Sequence, residues 1–290
     1  MNRVIRPFAA EDLDALSLFA EGLNAKRETG STFCCKNAVD IRQDFAETMD
    51  FGFACWEGEK PLGLISCFPD MEKGNADCSL LIDARKAPYQ EIAQALFAAA
   101  KEKLGVAMEY TFFFPTENEN CRVFLQSAEA QRQVNEYILL LRQENWKERR
   151  DLGVTPRPIL EEEWDAFAAL HDGVFPGVYA SGRDILKDLG KTRFVYVIAD
   201  KAGLAAYGVL KTNGGKQATA EMLAVRKDAR RQGFGRATLQ HLAWQAFSQF
   251  GAEMLELVVD ADNQNALGLY LDIGFQIRQE NHCFILRRSL

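Results

Sequence analysis

Histidine is scarce in this chain: there are three, at positions 171, 241 and 282, far apart in sequence. With no H-E-x-x-H and no clustered Cys/His spacing, no metal site is expected. The seven cysteines, at 34, 35, 55, 67, 78, 121 and 283, are an odd number and contain no C-x-x-C pair. That pattern excludes a small disulfide-stapled scaffold and fits a reducing cytoplasm. Only 8 of the 290 residues are proline and no tract is compositionally biased, which excludes collagen-like, mucin-like and disordered chains. No run approaches the roughly 20 apolar residues that cross a bilayer. The start, MNRVIRPFAAEDLDAL, carries charges throughout and has no leader-like hydrophobic region, so a soluble cytoplasmic protein with no membrane partner is expected. A basic excess is also missing: 34 Lys and Arg against 41 Asp and Glu give a net charge of -7, which argues against a general nucleic-acid binder.

What is present is a globular composition, 48% hydrophobic and 26% charged, in a chain about twice the length of a typical domain. Compared with itself, the sequence shows four echoes in the same order. RPFAAEDLDAL from Arg6 resembles RPILEEEWDAF from Arg157, and LLIDARKAPYQ from Leu80 resembles AVRKDARRQGFG from Ala224. LG before VAMEYTFFF resembles FG before AEMLELVVD, and ENENCRVFLQSAE resembles ADNQNALGLYLDIGF. Duplication explains an ordered set better than chance. The charged, proline-containing stretch from Arg149 to Pro156 predicts a linker, giving domains at 1–150 and 151–290.

Each half opens with a strand-like stretch and then an acidic helix start, Glu11 and Asp12 in the first and Glu161 to Glu163 in the second. Alternating and β-branched runs predict strands at Phe51–Trp56, Leu62–Phe68, Phe194–Ala199, Leu204–Thr212 and Ala220–Val225, the first four as antiparallel hairpins. In the second half, Leu239, Leu242, Ala243, Ala246, Phe247 and Phe250 form an apolar stripe on a helix over Arg236–Phe250. A strand at Met254–Val259, a short helix at Asn265–Leu271 and a terminal strand at Cys283–Arg287 follow. The first half has counterparts at Glu91–Leu104, Met108–Phe114 and Tyr137–Leu141. The fold class is α/β (α+β): two related domains, each a mixed, mostly antiparallel twisted sheet flanked by helices.

The chemical signal is ARRQGFGR, placed between a strand and a helix. Its glycines, Gly233 and Gly235, permit a phosphate to approach backbone N–H groups at the helix start. A Walker A loop is excluded because its Lys and Ser/Thr are missing, and the dinucleotide fingerprint is incomplete. Together, an acidic strand leading to L-A-V, R-x-x-G-x-G before a helix, a following strand, and N-x-x-A-x-x-x-Y before G-F strongly resemble the GCN5-related N-acetyltransferase (GNAT) superfamily.

The resemblance implies that acetyl-CoA serves as acyl donor. Arg230, Arg231, Gln232, Gly233, Phe234, Gly235 and Arg236 would cradle its pyrophosphate. Leu223 and Val225 would meet the pantetheine and thioester, and Asn263 would assist on the coenzyme side. Tyr270 takes the family's general-acid position and Glu221 the acidic strand position that accepts an amine proton. The implied reaction is direct acetyl transfer to a primary amine on a small molecule or peptide N-terminus, by a monomer or homodimer. The alternative is a non-catalytic acyl-CoA sensor or assembly module. The first copy departs from the pattern: Pro88 and Gln90 stand opposite the two loop glycines, and Phe124 stands opposite Tyr270. A degenerate supporting domain is expected there. The loop His171–Gly182 could border the acceptor or simply anchor a turn, and His171, Tyr196 and Tyr207 read better as structural residues. The Cys34-Cys35 pair has no nearby histidine to make it a nucleophile.

Overall fold

The computed structural model describes residues 3–104, 108–149 and 153–287. Residues 105–107 of the third echo and residues 150–152 of the expected linker lie outside them. The chain forms two compact units, one of 1–136 with 279–290 and the other of 137–278.

In the first unit, β1 (Arg3–Pro7) leads to α1 (Leu13–Asn24) and α2 (Ala38–Glu47). Then come β2 (Gly52–Glu57), β3 (Lys60–Asp70), β4 (Asn75–Ile82), α3 (Tyr89–Leu104), β5 (Glu109–Pro115), α4 (Glu119–Ser127) and the short β6 (Gln131–Arg132). Strands β1 to β4 pair antiparallel in sequence order, and β4 pairs parallel with β5. The chain then continues through β7 (Glu136–Arg142), β8 (Arg157–Pro158), α5 (Trp164–Val174), α6 (Gly182–Lys187), β9 (Arg193–Asp200), β10 (Gly203–Lys211) and β11 (Gln217–Val225). It closes with α7 (Phe234–Trp244), β12 (Met254–Asp260), α8 (Gln264–Ile273) and β13 (Gln276–Leu286). Strands β8 to β11 are again antiparallel, followed by the parallel pair β11 and β12. The mixed, mostly antiparallel sheet flanked by helices is therefore built twice.

The first echo has a physical basis. Arg6 pairs with Asp12 six residues on, and Arg157 pairs with Glu163 at the same spacing, through Nη1 and Nη2 at 2.8 and 2.7 Å. The acids at the helix starts thus tie each opening strand to its helix, in addition to facing the helix dipole.

The last strand of each repeat does not stay where a single cut near residue 150 would put it. Strand β7, expected as the final strand of the first half, lies beside β12 in the second unit. Residues Asn281–Leu286 of β13 pair antiparallel with β5 in the first unit. Periodicity identifies a strand, but it carries no information on which of two similar sheet edges that strand joins.

Both faces of each sheet are covered. In the second unit, Leu239, Leu242, Ala243, Ala246 and Phe247, five of the six expected stripe residues, are buried with Leu255, Leu257 and Tyr270. Phe250 is only partly buried, because α7 passes into a π-helical turn at Gln245–Gln249 and Gly251 ends it with φ +68°. On the opposite face Phe167, Ile185, Val209, Tyr207 and Met222 form the other layer. Among the described residues, no helix is long and apolar enough to cross a membrane.

Candidate active site

Two irregularities in the second sheet define the site. The parallel rungs between β11 and β12 stop at Thr219↔Glu256, although β11 runs on to Val225 and β12 to Asp260. Beyond that rung no ladder pairing joins the two strands among the described residues, and they open into a wedge. The second irregularity lies on the other side of β11, where Val209 faces Met222 and Leu210 faces Ala220. Glu221 is left as the extra residue of a β-bulge, which re-aims its side chain. The corresponding β3/β4 ladder in the first unit runs without a break from Gly63↔Ile82 to Asp70↔Asn75.

The loop after β11 is shaped for an anion. Arg231 and Gly233 both take left-handed backbone conformations, φ +65° and +84°, on either side of Gln232. Gly233 is the N-cap of α7, where no side chain caps the helix and the first turn holds no acid. The first N–H groups of a helix have no partner within it, and here no side chain competes for them. Gly235 faces Val225, Leu223 and Leu269, which would lie 3.5–3.9 Å from a Cβ at that position. Phe234 packs on a small apolar cluster, and Gln232 is exposed.

The arginines are already partnered. Arg230 Nε donates to the Val225 carbonyl at 3.2 Å, Arg231 to Asn265 at 3.2 Å and Arg236 to Asp272 at 3.0 Å. Asn263, expected on the coenzyme side, has a local task as well: its side-chain oxygen caps α8 by accepting from the Ala266 N–H. Tyr270 is 9% exposed, with its ring 6.0 Å from that of Phe275. Burial raises its pKa, which keeps the hydroxyl protonated.

Glu221 lies in a dense polar cluster that the sequence did not reveal. Arg193 grips its carboxylate with Nε on Oε2 and Nη2 on Oε1, both at 2.8 Å, while Nη1 reaches Asp188 at 2.6 Å. The Tyr179 hydroxyl donates to Oε1 at 2.6 Å, and Lys211 Nζ lies 3.8 Å away. Only 3% of the Glu221 side chain is accessible. Desolvation pushes its pKa up, but the hydrogen bonds from Arg193 and Tyr179 and the charges of Arg193 and Lys211 outweigh it and hold the carboxyl below its usual range. Arg193 had no sequence signal of its own, since a single arginine at a strand start is ordinary; Tyr179 lay inside the loop noted as an acceptor candidate. His171 is buried, with Nδ1 against the Tyr207 hydroxyl at 2.7 Å and Nε2 against the Ala180 carbonyl at 3.0 Å, so it braces the core.

The first unit has the same wedge with different contents. Its parallel rungs end at Cys78↔Phe112. The next residues on each strand, Ser79 and Phe113, bond instead to the segment after α1: Ser31 Oγ donates to Ser79 Oγ at 3.2 Å, and the Thr32 N–H to the Phe113 carbonyl at 2.8 Å. Asn118 caps α4 as Asn263 caps α8, and its amide also donates to the Gly30 carbonyl at 3.0 Å. Counted from these caps, Leu125 corresponds to Tyr270; counted back from the helix ends, Phe124 does. Neither residue has a hydroxyl. Cys34 and Cys35 are both pushed up to about 12, chiefly by burial, which disfavours thiolate chemistry.

Residues 157–275 match the family described as acetyltransferase (GNAT) family. A GCN5-related N-acetyltransferase from Sphaerobacter thermophilus aligns over 99% of this chain and 97% of its own, with TM-score 0.75 at 11% identity. A tandem GNAT protein from the clavulanic acid biosynthesis pathway aligns over 100% and 99%, with TM-score 0.66 at 16% identity. The GCN5-related glucosamine N-acetyltransferase region of a fungal multi-domain beta-N-acetylglucosaminidase covers 98% of this chain with 38% of its own, at TM-score 0.71 and 12% identity. No curated protein sequence matches. The fold is thus of the GNAT type in tandem, and the second repeat carries the match to the family of acetyltransferases.

Proposed function

We propose that the second unit is an N-acetyltransferase that moves an acetyl group from acetyl-CoA directly to a primary amine. The observation that carries this reading is the uncapped N-terminus of α7, entered through left-handed Arg231 and Gly233, beside the wedge between β11 and β12. Helix N–H groups with Arg230, Arg231 and Arg236 at hand suit a pyrophosphate, and the inner edges at Leu223 and Val225 suit an extended pantetheine arm. When bound, acetyl-CoA supplies an activated thioester.

The chain's own residues then have three tasks. Glu221 takes a proton from the acceptor's ammonium, directly or through water, and passes it to solvent; the freed amine nitrogen bonds to the acyl carbon as the carbon–sulfur bond breaks, and sheds its second proton to solvent. Backbone near Val225 stabilises the charge that develops on the carbonyl oxygen. Tyr270 delivers its proton to the leaving sulfur and regains one from solvent, so no covalent enzyme intermediate is required. The acceptor is a small molecule or a peptide N-terminus. The first unit acts as a degenerate supporting copy: Ser31 bonds to the Ser79 side chain and the Thr32 N–H to the Phe113 carbonyl at its wedge, and no hydroxyl stands at the Tyr270 position.

The test is acceptor-dependent release of coenzyme A from acetyl-CoA across a broad panel of primary amines. Release establishes transfer. Coenzyme A binding without turnover on any amine favours a sensor, and absence of binding overturns both readings.

A further inference from the structure

The Glu221 carboxylate has no room for an incoming amine as it stands. Oε1 and Oε2 together accept two bonds from Arg193 and one from Tyr179, with Lys211 Nζ beside them. An acceptor can reach this group only by replacing a partner, and the partners are held unequally. The Arg193 side chain is 11% accessible and is fixed from its other side by Asp188. Glu221 itself is fixed by the bulge. Tyr179 is 56% exposed and grips the carboxylate through one hydroxyl at the end of its side chain.

The backbone beneath Tyr179 is anchored separately. Ala180, its neighbour, is buried and its carbonyl is bonded to His171, while Ser181 caps α6 through the Asp184 N–H. Swinging the exposed Tyr179 ring therefore leaves the backbone on either side of it in place.

The geometry points to Tyr179 as a gating residue that occupies the acceptor amine's place on Glu221 Oε1, so that acceptor binding displaces its hydroxyl. This rests on the proposed acyltransferase reading. Arg193 is the positioning residue of the pair: it keeps Glu221 ionised and oriented while Tyr179 leaves. The proton balance is simple, since the ammonium N–H takes over the hydrogen bond that the Tyr179 O–H gives up, and no group is transferred in that step.

The test is steady-state kinetics of Tyr179→Phe with whichever amine of the panel the wild-type protein acetylates best, alongside calorimetric titration with coenzyme A. Phenylalanine keeps the ring and removes only the competing donor on an exposed residue. A hydrogen bond to a charged group is worth enough that its loss should lower the acceptor KM about fivefold to tenfold. The kcat should stay within about twofold and coenzyme A affinity should not change. A wall or purely structural role would raise KM or leave it alone, and either result overturns the gate. A wild-type protein that binds coenzyme A but acetylates no amine overturns the acyltransferase reading itself, and the gate with it, a result distinct from an unmoved KM.

Discussion

Arg193 and Glu221 form a two-pronged ion pair, Nε to Oε2 and Nη2 to Oε1, each at 2.8 Å, across the bulge in β11. The side chains are 11% and 3% accessible, so the pair is shielded from solvent. Removing one member strands the other in a poorly solvated place. Arg193→Met should cost about 3 kcal/mol, read as a fall in the free energy of urea unfolding. Glu221→Gln, which leaves a neutral amide facing Arg193, should cost less than the arginine variant.

The same pair sets a pH dependence with a definite sign. Glu221 titrates below its ordinary value, so its contribution to stability is present above the unfolded glutamate pKa of about 4.3 and is lost as pH falls through the depressed folded value. In Arg193→Met, burial without the guanidinium raises the carboxyl instead, and acid then relieves the variant by neutralising it. The stability gap between the two proteins should be widest near neutrality and narrow below about pH 4. A constant gap from pH 7 to pH 3 would contradict this account of the cluster.

Tyr270 is buried and its pKa is raised, which keeps the proton on the hydroxyl at working pH. In its proposed role as the acid for the leaving sulfur, it should be worth about a hundredfold in kcat. Tyr270→Phe retains the ring that packs near Phe275, so coenzyme A affinity and thermal stability should hold while turnover falls. Unchanged turnover across the pH range would remove Tyr270 from the mechanism.

Gly274 ends α8 at φ +116°, and a Cβ there would strike the Asn145 carbonyl oxygen. The obstruction is backbone, so no rotamer change relieves it. Steric conflict and a disfavoured dihedral act together, and Gly274→Ala should lower stability by about 2–4 kcal/mol. Gly233 is left-handed too, but a Cβ there meets nothing within 4 Å. Gly233→Ala should cost only about 1–2 kcal/mol, which chemical denaturation of the two variants can resolve.

Most strands and most helices were legible because their signals are local: β alternation, the α7 stripe, and the R-x-x-G-x-G run between strand and helix; β4 (Asn75–Ile82) was not read as a strand. The repeat itself was legible as text, and its first echo is a repeated ion pair, Arg6 with Asp12 and Arg157 with Glu163. Three features were not legible, each for the same reason. The bulge at Glu221 is a property of register between two strands, the Arg193 contact spans 28 residues, and the exchange of β7 and β13 depends on which sheet edge each finds. None leaves a trace in the periodicity of one segment.

The two wedges make opposite demands on a ligand. In the first unit, Ser31 and Thr32 bond to Ser79 and Phe113, the residues just past the last rung, and Asn118 holds the Gly30 carbonyl. A peptide segment of the chain thus takes the backbone group on β5 that an extended arm would otherwise use. In the second unit, no such segment bonds to the wedge edges among the described residues, apart from Arg230 on the Val225 carbonyl. The intramolecular segment is already tethered, so a free ligand would have to displace it against a high effective concentration. Coenzyme A should therefore bind with a stoichiometry of about one per chain, and Gly233→Asp, which sets a negative charge where phosphate would sit, should abolish that binding. Asn118→Ala should leave both the stoichiometry and the affinity of the remaining site unchanged. Calorimetric titration distinguishes the outcomes: two equivalents per chain would show that residues 30–33 do not close the first wedge.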